Sequence, residues 1–383
     1  MKKVAYFNNA ATTFPKPEEV YTFVDRFYRE SGFSFGRGTG TSSHKIVQEA
    51  RRKILELFRC PAKKVVFTST ATEAINVILQ GLHLEDNYNI YVTPFEHNAV
   101  TRVLNYLKTK YRLNIYTLSV DEKKITYNLD KIKYQFAENK PNVVIMNHAS
   151  NVCGVIAPIE SICSMSHQYG AVNIIDMCQT AGLIDTDLSS GIYDFAVFAG
   201  HKTLYATFGI AGFICSGNIK LKPLLYGGTG VDSANPELPD SIPERYEVGS
   251  QNVMAIAGLH AGLTWIEKTS IQNIYEKDME NRCRLLNILK KYDNIRIIGG
   301  ANDFDSIGVV SCVFDGYSSD NIGQVLIEQG IEVRTGLHCS PSSHKFLGTF
   351  PAGTVRFSVG YFNDDDDFRM LDEALDYIYE NSW

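Results

Sequence analysis

Seven short runs of β-branched and aromatic residues recur through the first 216 positions of the chain: KVVFTS (64–69), NIYVT (89–93), NIYTLSV (114–120), NVVIMNH (142–148), AVNIIDM (171–177), DFAVFAG (194–200) and AGFICS (211–216). Stretches with helical spacing separate most of them, among them TEAINVILQGL after the first run and EHNAVTRVLNYLKTKY after the second. Alternating strands and helices predict an α/β domain on a mainly parallel seven-stranded sheet. In such sheets ligands bind where loops leave the carboxyl ends of the strands, so the residues just after each run are the ones to read for chemistry.

The texture changes after RYEVGSQN (245–252). A long helical region (253–292) leads to NIRIIGG, IGVVSCVF, GIEVRT and TVRFSVG, with the helix SSDNIGQVLIEQ among them. This predicts a smaller α/β domain, with the large domain over 18–252 and the small one over 1–17 and 253–383. A length of 383 residues suits two cores. The acidic run NDDDD (363–367) opens the last helical pattern, where negative charge complements the helix dipole.

Composition narrows the function classes. Lys and Arg number 37 against 43 Asp and Glu, a net −6 with no long basic stretch, which argues against nucleic acid as a partner. MKKVAYFNNAATTFPKPEEV lacks the apolar core of a signal peptide and no run reaches membrane-spanning length, so a cytoplasmic protein without membrane association is expected. Eight cysteines, at 60, 153, 163, 178, 215, 283, 312 and 339, form no C-x-x-C pair. In a reducing compartment the default for each is a small buried hydrophobe.

Five strand ends carry something more specific. In FAGHKT (198–203), His201 separates Gly200 from Lys202, which excludes a P-loop; a lysine held at the ligand edge of a sheet is instead placed to form a Schiff base. Asp176 ends AVNIIDM and is followed by Gln179. A carboxylate beside a Schiff-base lysine is what pyridoxal phosphate needs to keep its ring nitrogen protonated, although an aspartate there also caps helices. In FTSTATEAIN a strand gives way to a helix at Thr70-Ala71-Thr72, a cradle for phosphate. PFEHN offers His97, suited to stacking on a flat ring, and NHASNVCG offers Asn151 with a turn-forming Gly154.

The ordered set YFNNAATTFPKP, FTSTATEAINV, EHN, HASNVCGVIAPI, DMCQ, AGHK, YEVGSQN, RTGLHC and VRFSVGYFN resembles class V, fold-type I pyridoxal phosphate enzymes of the cysteine desulfurase family, in its group II, selenocysteine-lyase-like branch. The resemblance runs nearly end to end. It implies that Lys202 carries the cofactor, that Asp176 pairs with the ring nitrogen, and that Gln179 and Asn151 contact the ring's phenolic oxygen or substrate. His97 would stack on the ring and help move protons, while Ala71, Thr72 and His201 would hold the phosphate. Ser250 would reach the phosphate of a neighbouring subunit, which implies a homodimer. Arg356 would fork the substrate carboxylate, with Arg334 close by. Three departures stand out: Ala199 where the family has serine, Ala71 where threonine is common, and Asn8 where aspartate is usual. GRGTGTSSH (36–44) also lacks the histidines often found in that segment.

The same resemblance lifts Cys339 above the other cysteines. It would attack the sulfur of L-cysteine, become a persulfide and release alanine, since a thiolate suits sulfur transfer. The substrate would be L-cysteine or L-selenocysteine, and the sulfur would pass to an acceptor protein, in iron–sulfur cluster assembly, tRNA thiolation or another pathway. The alternatives are a selenocysteine lyase and a class V aminotransferase or β-eliminating lyase that does not use Cys339. No metal is expected, because His338, Cys339 and His344 lack a fourth ligand at ordinary spacing.

Overall fold

The computed structural model describes residues 4–31, 42–232, 234–299 and 305–381. Most of GRGTGTSSH lies outside them. All seven runs are strands of one sheet, in the order Lys64–Thr68, Ala211–Cys215, Phe195–Ala199, Val172–Asp176, Val143–Asn147, Asn89–Val92 and Asn114–Thr117. The last five of these pair in parallel. Ala211–Cys215 is antiparallel to both neighbours. Its connection from Ala199 holds no helix, and a parallel return needs a crossover of a dozen or more residues.

Val143–Asn147, Phe195–Ala199 and Ala211–Cys215 are buried at every position, which is why these strands read as continuous apolar runs. Alternate residues serve opposite faces. Val144, Met146, Ile175 and Phe198 join one core with helices Ser42–Leu57 and Val253–Thr269. Val143, Ile145, Ile174 and Val197 join the other with helices Ala71–Gly81 and Asn98–Leu107. Helix Val253–Thr269 starts at the expected domain break, capped by Asn252, yet its buried residues Ile256, Leu259, Leu263 and Ile266 pack in the large sheet's core.

A second sheet, in the order Ile295–Ile297, Val309–Phe314, Thr354–Ser358, Arg334–Gly336, is antiparallel throughout. The N-terminal strand Ala5–Tyr6 pairs with Ile331–Glu332 beside it, and Phe7 is buried in the same core. Helix Asp365–Glu380 packs there too, opened by a capping box between Asp364 and Asp367. The two sheets meet where Gly154 turns with φ +77°; a Cβ there would lie 2.7 Å from Val309 O, so only glycine lets the backbones approach. Among the described residues no helix is long and apolar enough to cross a membrane.

Candidate active site

The carboxyl ends of the parallel strands open into a cavity of about 280 Å³ whose walls include Ala71, Thr72, His97, Asn151, Asp176, Gln179, His201 and Lys202. Eight residues picked from five separate segments are thus neighbours. The volume lies near the lower end of the ~300–1,000 Å³ of small-molecule sites.

Each wall residue is set by local structure. Thr70 caps helix Ala71–Gly81 by accepting from Glu73 N at 3.1 Å, and Glu73 returns the bond to Ser69 N at 2.9 Å. The amides of the first turn have no intrahelical acceptor and carry the positive end of the dipole. His97 caps the next helix, its Nδ1 accepting from Ala99 N at 3.1 Å. Burial, then the charge of Lys202, pushes its pKa down to about 4, so the neutral ring carries its proton on Nε2. Asp176 is 8% exposed and accepts from Cys178 N at 2.9 Å. Cys178 also lines the cavity, but burial and the Asp176 charge push its thiol well above the ordinary range.

The Lys202 loop is clasped from outside. Gly200 packs so tightly that a Cβ would lie 2.8 Å from Ile210 O. Thr12 Oγ1 donates to His201 O at 2.8 Å and Thr13 Oγ1 to Lys202 O at 2.9 Å. Lys16 Nζ donates to His201 O at 2.5 Å and to Thr13 Oγ1 at 2.7 Å. The His201 ring stacks on Phe208 with centroids 4.5 Å apart, while its buried Nδ1 has no partner among the described residues.

The family model described as aminotransferase class-V matches residues 5–371. The chain belongs to this class-V aminotransferase family. It is similar to a probable cysteine desulfurase of Methanothermobacter thermautotrophicus, 26% identical over 97% of this chain and 94% of that one. A probable cysteine desulfurase of Pyrococcus abyssi is 29% identical, with 99% and 95% covered. Among solved structures, the apo cysteine desulfurase of Thermococcus onnurineus superposes with a TM-score of 0.89 at 26% identity, covering 98% of this chain and 95% of that one.

Within this class-V frame, four expected residues lie outside the cavity walls. Cys339 borders an adjoining groove that shares Thr72 and His97 with the cavity. Arg334 Nη2 donates to the Cys339 sulfur at 3.1 Å. Arg356, 1% exposed, donates to Asn151 O at 2.9 Å and to Asn8 Oδ1 at 3.1 Å. Asn8 gives it a neutral partner, and Arg356 forms no ion pair among the described residues. Ser250 is exposed and borders a separate cavity of about 510 Å³ with Arg51 and Glu247.

Asn151 does more than its place in the motif suggested. Its Nδ2 donates to His338 O at 2.8 Å and its Oδ1 accepts from Ser340 Oγ at 2.9 Å. The amide therefore brackets Cys339 on both sides and hangs that loop from the cavity wall. His338 and Cys339 both take positive φ, 48° and 58°, a conformation non-glycine residues adopt only when the surroundings hold it.

Sequence reasoning also passed over Lys16 and Glu96, although both stand inside quoted motifs. The signal for Glu96 is an acid at the end of an apolar strand with Phe95 before it. Thr93 Oγ1 lies 2.7 Å from both Glu96 Oε1 and Asn147 Oδ1. Asn147 Nδ2 donates to Phe95 O and Ala149 O, so its oxygen is the acceptor that faces Thr93. Glu96 Oε1 also accepts from Asn147 N at 3.0 Å and Thr93 N at 3.3 Å, bonds that favour the carboxylate but are outweighed by burial; one hydroxyl has one proton to give, and a protonated Glu96 that donates to Thr93 closes the chain. Glu96 is fully buried, its Oε2 has no partner among the described residues, and burial pushes its pKa up to about 8.

The folded state holds the Glu96 proton to about pH 8, whereas an unfolded glutamate releases it near pH 4.3. Between those values the folded chain binds more protons, so this group's stabilising contribution is full below the unfolded pKa and is lost as pH rises. From pH 5.5 to 7.5 the loss is on the order of 2–3 kcal/mol. Glu96→Gln is expected to remove that slope. Urea unfolding of both proteins at the two pH values checks it, and a stability difference that stays constant with pH refutes it.

Proposed function

We propose that the protein is a pyridoxal 5'-phosphate-dependent cysteine desulfurase that turns L-cysteine into L-alanine and holds the sulfur as a persulfide on Cys339. The observation that carries this reading is Asn151: one side chain lines the lysine–aspartate cavity and suspends the Cys339 loop beside it. The names of the related proteins agree with it.

The residues present fit the cofactor. The unpartnered His201 Nδ1 and the first-turn amides at Ala71 and Thr72 are donors in want of an acceptor, and they suit a phosphate even though Ala199 supplies no hydroxyl. Asp176 suits a protonated ring nitrogen, His97 a ring face, and Lys202 the carbonyl carbon. Bound there, pyridoxal phosphate would supply an electron sink for bond changes at the substrate's Cα and Cβ.

The chain's own groups do the rest. Lys202 takes the proton from the substrate Cα, a task its amine performs once it is freed from the cofactor. Arg356, which forms no ion pair among the described residues, would exchange its bonds to Asn151 O and Asn8 Oδ1 for the substrate carboxylate. The Cys339 sulfur attacks the substrate sulfur. An S–S bond forms, the C–S electron pair stays with carbon, that carbon takes up a proton, and Lys202 returns one to Cα, which gives alanine. Neutral His97, which lines both cavity and groove, carries an Nε2 proton that it could give in this exchange.

The exposed face around Ser250 would pack on a second copy, giving a homodimer in which Ser250 reaches the neighbour's phosphate. We place the protein in the cytoplasm, with a sulfur-acceptor protein downstream. The test is direct: cofactor-loaded protein is given L-cysteine without reductant, then digested and weighed. One added sulfur on the Cys339 peptide and one alanine per chain are expected. Alanine without that mass increase refutes the persulfide, and no alanine refutes the desulfurase reading.

A further inference from the structure

Cys339 faces two ways. On one side it adjoins the cavity through Thr72 and His97. On the other it borders an open groove of about 400 Å³ along helix Asn98–Leu107, whose walls include Asn76, Arg102 and Tyr106. No carboxylate among the described residues lines this groove. Burial holds His97 neutral to about pH 4, and Arg102 is exposed, with no ion pair or hydrogen bond among the described residues. A second guanidinium, that of Arg334, is bonded to the sulfur itself. On a chain of net −6, the approach to Cys339 is thus locally positive.

We propose that this groove admits the thiol that takes sulfur from Cys339, and that Arg102 makes it select thiols bearing a neighbouring negative charge. The inference rests on the desulfurase reading and names the chemistry of its second half. The incoming thiolate RS⁻ attacks the outer sulfur of Cys339–S–SH. The Cys339 S–S bond breaks as the new one forms, giving RS–SH and the Cys339 thiolate, so the exchange needs no external oxidant or reductant. The groove gives a separate path, so loading and discharge of sulfur need not share an entrance.

Arg102 acts by field rather than by contact with the reacting atoms. A unit charge several ångströms from a surface thiolate changes its local concentration a few-fold at low salt, and the effect fades within a Debye length of ~10 Å at 0.1 M. Mercaptoacetate and 2-aminoethanethiol carry opposite charges beside the thiol and serve as probes. Holoenzyme is loaded with L-cysteine, freed of excess substrate, and its persulfide is discharged by each thiol in turn. The mercaptoacetate-to-aminoethanethiol rate ratio, compared between wild type and variant, cancels the intrinsic reactivity of the two thiols.

That ratio is expected to fall about 3-fold in Arg102→Ala and about 10-fold in Arg102→Glu at low salt, and the difference is expected to shrink at high salt. The alanine burst of the loading step is the internal standard and should stay within about twofold. Unchanged ratios with a normal burst overturn the role of Arg102 and leave the desulfurase reading standing. If the wild type forms no persulfide, that reading falls and this inference falls with it.

Discussion

Replacing Lys202 by alanine is expected to remove the visible absorbance of the bound cofactor and to lower alanine formation by at least ~10³-fold, the combined loss of a covalent anchor and a general base. The side chain lies at a cavity wall rather than in the core, and the loop that carries it is held through the carbonyls of His201 and Lys202. Those bonds involve no atom of the Lys202 side chain, so the cofactor-free variant should fold and melt like the cofactor-free wild type. Lys202→Arg should fail as badly, because a guanidinium stays protonated and cannot act as a base or a nucleophilic amine. Absorbance spectra, alanine release and thermal melts on the two variants check the three claims together. Alanine formation within tenfold of wild type would remove Lys202 from the chemistry.

Replacing Cys339 by alanine is expected to act differently. Sulfur transfer should vanish and alanine release should fall by about 10²-fold or more, since the C–S bond would lose its attacking nucleophile. The cofactor spectrum should stay, because Cys339 is not a wall of the cofactor cavity. Cys178→Ala is the informative control. That thiol is inside the cavity, but burial and the adjacent Asp176 charge keep it protonated, and a protonated thiol is a poor nucleophile. Its loss should leave sulfur transfer nearly intact. Alanine release undiminished in Cys339→Ala would point instead to an elimination that does not use this residue.

The large sheet was legible because strands buried on both faces must be apolar at every position, and runs such as VVIMN and FAVFA are hard to read otherwise. Helix Val253–Thr269 was harder to assign to a layer. It buries residues on most of its circumference, so its pattern names no single face to be covered by one particular sheet. At the site, sequence picked out residues that follow strand ends, since each of those signals is contained in a few consecutive letters. Partnerships were out of reach. Asn151 holds a loop 187 residues away and Lys16 holds a carbonyl 185 residues away, separations across which no local pattern speaks. Glu96 was hidden for another reason: its neutral state depends on how many protons Thr93 and Asn147 have to share, a matter of geometry.

Residues 4–17 tie distant parts of the chain. Ala5–Tyr6 pair with Ile331–Glu332, Ala10 N donates to Ser358 Oγ at 2.9 Å, and Thr12, Thr13 and Lys16 close over the Lys202 loop. During synthesis these residues emerge long before their partners. At ~5–20 residues per second, the segment that will pair at 331 arrives on the order of tens of seconds later. A nascent chain that has completed its large sheet would therefore still hold the Lys202 loop without its full clasp. The hold on the Lys202 loop is thus completed only once residues 331–358 have been made, and a ribosome-bound fragment cut short before residue 331 should bind cofactor less firmly than one that extends past residue 358.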